Sequence, residues 1–218
     1  PPATSYARRN IACALAIALA ALALVVFPAA IPPLVALVRD GTDEQKANAA
    51  LALQNLAGND DNKVAIAKAG GIPPLVALVR DGTADQKDYA TAALSFLAAN
   101  ANNQVAIAQA GGIPPLVALA LVGTADQKHY AAAALGRLAV NADNKVPIAQ
   151  AGGIPPLLAL VRDGTAEQKE NAAGALQDLA SNADNQVAIA QAGGIPLLVA
   201  VALVGTDRQK LYAAAALG

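Results

Sequence analysis

The block Ile-Pro-Pro-Leu, or a close variant of it, recurs at Ile31, Ile72, Ile113, Ile154 and Ile195, so the chain repeats itself every 41 residues. A period of this length makes each unit one supersecondary element that cannot bury its apolar face alone. Stacking on its neighbours buries that face, and the product is an elongated solenoid rather than a globule. Residues 31–218 are therefore expected to form one quasi-linear body whose last repeat is truncated, not the one or two domains that 218 residues suggest by length.

Composition decides the kind of solenoid. Hydrophobic residues make up 56% of the chain and aromatics only 3%, with Ala, Leu and Val supplying most of the apolar mass. Ala and Leu are strong helix formers, and small side chains let helices approach closely, so the fold class is all-α. A net charge of −1 gives the chain no overall pull toward nucleic acid or anionic lipid, and nucleic acid is not an expected partner. Cys13 is the single cysteine, which excludes an intramolecular disulfide and leaves the compartment open.

Residues 103–143 show the anatomy of one repeat. Asn103 is placed to cap a short helix over 104–110, which Gly111-Gly112 ends. Pro114 and Pro115 occupy the first turn of a second helix, where a missing N–H is harmless, and Gly123 closes it. The third helix opens at Thr42, Thr83, Thr124, Thr165 and Thr206, each followed three residues later by Gln45, Gln86, Gln127, Gln168 and Gln209. That is the capping-box spacing, with Thr accepting from the third helical N–H and Gln reaching back to the cap N–H. Ala90, Ala93, Leu94 and Leu97 then make one apolar face at helical spacing, which Leu135/Leu138 and Leu176/Leu179 repeat.

The run Asn-x-x-Val-x-Ile-Ala-x-Ala-Gly-Gly-Ile-Pro-Pro-Leu-Val followed by a long capped helix resembles the armadillo repeat. It is closer to that than to the HEAT repeat, whose units have two helices. The resemblance covers residues 31–218 clearly and 11–30 in degenerate form. It implies a right-handed α-solenoid of three-helix units whose third helices line a concave groove for extended peptides or protein partners. It implies neither cofactor nor catalysis.

Armadillo grooves hold a Trp and, four residues later, an Asn that clamps the peptide backbone. The corresponding Asn positions here are Asn55, Phe96, Arg137 and Asp178, and the Trp positions are Leu51, Ala92, Ala133, Gly174 and Ala215. Recognition of a basic nuclear-import peptide through that ladder is therefore not expected. On the same face lie Asn48, Tyr89, Tyr130, Asn171 and Tyr212, and one turn earlier Glu44, Asp85, Asp126 and Glu167, with Arg208 in the fifth copy. The repeats differ from one another at these columns while the capping and packing positions scarcely change. A ligand reading assigns the columns to an extended peptide of about two to three residues per repeat. Tyr and carboxylate together favour a basic or Arg-containing ligand, and Arg137 disfavours a ligand cation at its own level.

Structural readings stand beside each of these. A first-turn carboxylate gains about 0.3–1 kcal/mol from the helix dipole without any ligand. The tyrosines fit packing between third helices as well as a groove, and Phe96, Arg137 and Asp178 fit drift on a solvated face. The recurring Lys46, Lys87, Lys128, Lys169 and Lys210 read as a solvated helix face rather than a phosphate site, because acids lie two positions earlier in four of five copies. Arg39-Asp40, Arg80-Asp81 and Arg162-Asp163 become Leu121-Val122 and Leu203-Val204 elsewhere, marking either a secondary apolar contact surface or local repacking.

The only histidine is His129, the serines are Ser5, Ser95 and Ser181, and no spacing resembles a nucleophile, metal cluster or phosphate loop. The expectation is a binding scaffold with no enzymatic activity, metal or cofactor. After Arg8-Arg9, residues 11–27 carry no charge and lead in register to Ile31. Residues 1–30 are thus a degenerate N-terminal repeat or an apolar leader. A cytoplasmic or nuclear location is favoured, with export if 1–30 act as a signal and a membrane role only if 11–27 are an anchor. The apolar ends leave a second functional reading, a structural solenoid that self-associates end to end without a groove ligand.

Overall fold

A computed structural model describes residues 28–218, which hold a 3₁₀ turn at Pro28–Ala30 followed by fourteen α-helices. In chain order they are α1 (Ile31–Asp40), α2 (Asp43–Leu56), α3 (Asp60–Lys68), α4 (Ile72–Asp81), α5 (Ala84–Leu97), α6 (Ala101–Gln109) and α7 (Ile113–Val122). There follow α8 (Ala125–Ala139), α9 (Ala142–Gln150), α10 (Ile154–Asp163), α11 (Ala166–Ala180), α12 (Ala183–Gln191), α13 (Gly194–Val204) and α14 (Asp207–Leu217). First helices of the repeat are α3, α6, α9 and α12; second helices are α1, α4, α7, α10 and α13; third helices are α2, α5, α8, α11 and α14. Each kind stacks on its own kind in the neighbouring repeat. Apart from the 3₁₀ turn, the degenerate repeat or leader expected at 1–30 lies outside the described residues.

The Gly-Gly pairs act as read, and the two glycines do different things. Gly70, Gly111, Gly152 and Gly193 take left-handed φ values of 75°, 74°, 80° and 77°, where a side chain would be strained. The second glycine is needed for room: a Cβ at Gly112 would stand 2.7 Å from Ile107 Cγ2. Through this corner the first helix turns sharply into the second, by 88° between α6 and α7 and 89° between α12 and α13.

All five capping boxes form. In α8 the Thr124 Oγ1 accepts from the Gln127 N–H at 3.2 Å, while Gln127 Oε1 accepts from the Thr124 N–H at 3.1 Å. The glutamines also carry a role that capping spacing alone does not reveal. Gln86 Nε2 donates to the Asp43 carbonyl at 2.9 Å, Gln168 Nε2 to that of Ala125 at 2.7 Å, and Gln209 Nε2 to that of Ala166 at 2.9 Å. One amide thus starts its own helix and ties it to the preceding third helix.

The expected cap at Asn103 is corrected. Asn100 is the N-cap of α6, accepting from the N–H groups of Asn102 and Asn103 at 3.0 and 3.2 Å, and Asn59, Asn141 and Asn182 do the same for α3, α9 and α12. Two asparagines three residues apart both suit a cap, and the upstream one takes it. Asn103 is thereby free to lie buried one turn in, donating to the Leu97 carbonyl and, across the repeat boundary, to that of Lys63, both at 3.1 Å. Asn144 and Asn185 repeat the pattern. Each buried amide gives a second donor to a carbonyl at the end of a third helix that also accepts a backbone N–H, and the buried amide itself would cost about 1–3 kcal/mol if left unpaired.

The core follows the sequence pattern. Leu94, Leu97, Leu135, Leu138, Leu176 and Leu179 are fully buried between third helices, and Ile66, Ile107 and Ile148 seal the first helices against them. Full burial of each such side chain stabilises by about 1.5–3 kcal/mol before entropy is counted. Among the described residues no single helix is long and apolar enough to cross a membrane.

Candidate functional site: the face of the third helices

Side by side, α2, α5, α8, α11 and α14 expose one stripe each, and the sequence-predicted columns fall on it. Glu44, Asp85, Asp126 and Glu167 are exposed in the first turns. Their carboxylates lie in the electropositive first turns of the helices, so the dipole role and a ligand role are physically compatible. Asn48 and Asn171 are half-buried and Asn55 is exposed. The repeated lysines are half-buried.

The tyrosines are half-buried, and Tyr89 and Tyr212 pack against the core. Tyr130 tilts at 54° against Phe96 of the preceding repeat, centroids 6.3 Å apart, and meets His129 edge-on at 4.9 Å. Arg137 completes this group. Its guanidinium lies 5.9 Å from the Phe96 centroid, and its Nη1 donates to the Ser95 carbonyl of the preceding third helix at 2.6 Å. Burial pushes the Arg137 guanidinium below the usual arginine range. The side chain is therefore a brace across the α5–α8 boundary as well as a charge on the groove.

One repeat further the same face is hollow. Gly136, Gly174 and Ala133 leave a depression of about 260 Å³ between α8, α11 and α14, walled by Arg137, Asp178, Asn171 and Tyr212. A Cβ at Gly174 would stand 3.7 Å from the Tyr212 ring, in ordinary van der Waals contact with it. Across its rim Arg208 Nη1 donates to Glu170 Oε1 at 2.9 Å, which holds the arginine above its ordinary pKa. Burial raises the Asp178 carboxyl above the usual aspartate range, while the nearby Lys145 pulls it back. Lys145 donates to Ser181 Oγ, and Ser181 in turn donates to the Asp178 carbonyl at 2.8 Å.

Glu170, Gly136 and His129 join this face without having been singled out for it. His129 is not a plain surface residue: its Nδ1 lies 3.4 Å from Asn171 Nδ2 and 3.9 Å from Glu167 Oε2 on the next third helix. The signal for this column was present in the 41-residue register, where Asp88, His129 and Glu170 coincide. Among the described residues no three His, Cys, Asp or Glu side chains converge as a metal site would require.

Away from this face, Arg39–Asp40, Arg80–Asp81 and Arg162–Asp163 form adjacent ion pairs of 2.9, 2.8 and 2.8 Å at the ends of second helices. Leu121, Val122, Leu203 and Val204 replace them and are each more than half exposed, so these aliphatics stand in solvent instead of repacking.

Residues 59–99, 100–140 and 141–181 match the armadillo/beta-catenin-like repeat. The fold is similar to a designed armadillo repeat protein, with 30% identity, a TM-score of 0.81 and coverage of 86% of this chain and 81% of that one. It is similar also to computationally designed armadillo repeat proteins for modular peptide recognition, at 30% identity, TM-score 0.80 and the same coverage. A third, a designed armadillo repeat protein in complex with the peptide (KR)4, shares 28% identity at TM-score 0.78, with 86% of this chain and 80% of that one covered. No match is found among curated proteins.

Proposed function

The chain belongs to the armadillo/beta-catenin-like repeat family, a right-handed α-solenoid of 41-residue units, and from that premise we propose that it is a non-catalytic scaffold for an extended peptide laid across its third helices. The observation that carries the reading is the coincidence of two facts. Several columns at which the repeats differ lie on the third helices, and the face of α8, α11 and α14 holds a depression lined by donors and acceptors. Stacking positions that never vary beside surface positions that do is the arrangement of a module whose contents are written independently of its frame.

The ligand class follows from the columns. Four exposed carboxylates, Glu44, Asp85, Asp126 and Glu167, run along the face at one per repeat and favour a peptide with spaced cations. Asp178 stands where the family carries its backbone-clamping Asn. A carboxylate there accepts a peptide N–H or a ligand cation but cannot donate to a peptide carbonyl. Arg137, held by Phe96 and the Ser95 carbonyl, places its charge at one level and disfavours a basic residue there. Half-buried Tyr89, Tyr130 and Tyr212 supply phenol rings whose faces are the surface an arginine stacks on. The likeness to a designed protein solved with (KR)4 supports the same ligand class.

Selection from a random extended-peptide library tests the reading, followed by titration of the enriched peptide against a variant carrying Asp85→Lys, Asp126→Lys and Glu167→Lys. These side chains are exposed, so the fold stays intact. The expected outcome is a consensus with spaced Lys or Arg whose affinity falls by roughly tenfold or more in the variant and weakens with salt in the parent. No enrichment, or enrichment indifferent to the three substitutions, overturns the groove as the binding face.

A further inference from the structure

The depression between α8, α11 and α14 holds two opposite charges that the protein leaves without counter-charges. Of the four charged residues on its wall, Glu170 and Arg208 pair with each other at 2.9 Å. Arg137 and Asp178 do not pair. They stand in the same column one repeat apart, on α8 and α11, and both line the hollow. Among the described residues, neither forms an ion pair with the other or with any third side chain.

Their hydrogen bonds are equally incomplete. Arg137 donates through Nη1 to the Ser95 carbonyl, and its guanidinium meets no other acceptor among the described residues. The Asp178 carboxylate accepts from no described donor, because the nearby Lys145 donates to Ser181 Oγ instead. Both side chains are half-buried, and burial acts on each in the direction that disfavours its charge.

This pairing selects among the side chains a ligand could place here. A cation is repelled by Arg137, and a carboxylate is repelled by Asp178. An aliphatic group would take water from both and return no hydrogen bond to either. A neutral group that accepts on one side and donates on the other satisfies both, and the carboxamide of Gln or Asn does so with its carbonyl and its NH2. Gly136 and Gly174 carry no side chain on the wall, which leaves width for a flat group.

We propose that the depression is a subsite for one ligand carboxamide, a Gln or Asn side chain whose carbonyl accepts from the Arg137 guanidinium and whose NH2 donates to the Asp178 carboxylate. The proposal rests on the reading that the third helices take an extended peptide, and adds that one position of an otherwise basic ligand is neutral. Asn55 and Phe96 fill the same column in the other described repeats, so the charge pair occurs once along the face.

Titration of the full chain with the peptide (KR)4, and with derivatives carrying Gln, Glu or Leu at each position in turn, tests this. At one position or more, Gln is expected to bind roughly tenfold more tightly than Leu or Glu, and more tightly than the cation it replaces. Arg137→Gln leaves Asp178 alone in the depression and should move the preference at that position to Lys or Arg. Asp178→Leu leaves Arg137 alone and should move it to Glu. A general loss of structure cannot produce these two opposite changes. Peptide binding with no position that prefers Gln, or a Gln preference that survives either substitution, overturns the subsite and leaves the groove reading standing. No binding by any of the peptides removes the basic-ligand reading together with the subsite.

Discussion

The boundary between α5 and α8 and the space between α8, α11 and α14 rest on the same leucines, caps and amide ties, yet treat their outward side in opposite ways. At the first, Phe96, Tyr130 and Arg137 fill the face, and the guanidinium closes onto a carbonyl of the preceding helix. At the second, Gly136 and Gly174 withdraw side-chain volume and leave a depression with Asp178 on its wall. The leucines, caps and amide ties beneath are the same in both regions. What differs is three or four side chains above the leucine layer. In such a frame, the face of the third helices is changed by substitution alone, with no change in loop length.

The comparison breaks first at the shared foundation. Leu138→Ala removes a fully buried side chain beneath both regions and should cost about 2–5 kcal/mol in chemical denaturation. Asn144→Ala leaves the Leu138 and Gln104 carbonyls without their amide donor and should cost about 1–3 kcal/mol. Arg137→Ala removes the brace at the filled boundary and one wall of the depression and should cost about 1–2 kcal/mol, less than Leu138→Ala; a loss as large as that of Leu138→Ala would mean the outward side also supports the stack. Gly174→Leu makes the hollow region resemble the filled one. Helix propensity should then raise stability by up to about 1 kcal/mol, while affinity for a selected peptide falls roughly tenfold.

The smallest expected effect is a pH dependence. Burial places the folded-state pKa of Asp178 above the unfolded value of about 3.9. The associated stabilisation is fully present below that value and is lost as pH rises through the raised pKa. Asp178→Asn should flatten this part of the stability profile, measured by thermal melts from acid to neutral pH, and should tighten peptide binding by restoring an amide able to both donate and accept. A variant profile parallel to that of the parent would remove Asp178 from the account.

The frame was legible because its signals are local and repeated. Five Thr–Gln pairs, four Gly-Gly corners and a leucine pair per repeat each specify backbone within a few residues. Asn103 was misassigned for a local reason too, since two asparagines per first helix satisfy the same cap pattern. The second role of Gln86 was invisible because its acceptor lies 43 residues away and exists only after stacking. The site divides the same way. Its columns emerge from aligning the chain on itself, but the path of Arg137 to the Ser95 carbonyl and the depression above Gly174 depend on neighbouring helices. An absence of side-chain volume becomes a pocket only when three helices surround it.

The amide ties have a consequence for how such a chain changes length. Each of these Gln and Asn ties runs from a donor in one repeat to an acceptor 40 or 43 residues upstream in the previous one. Deleting or duplicating 41 residues at any phase of the repeat presents each Gln and Asn with an identical carbonyl. A change of any other size, within the helices, leaves at least one junction with a buried amide facing nothing. Growth and shrinkage of the molecule are therefore quantised, and the unit of heritable length is the repeat.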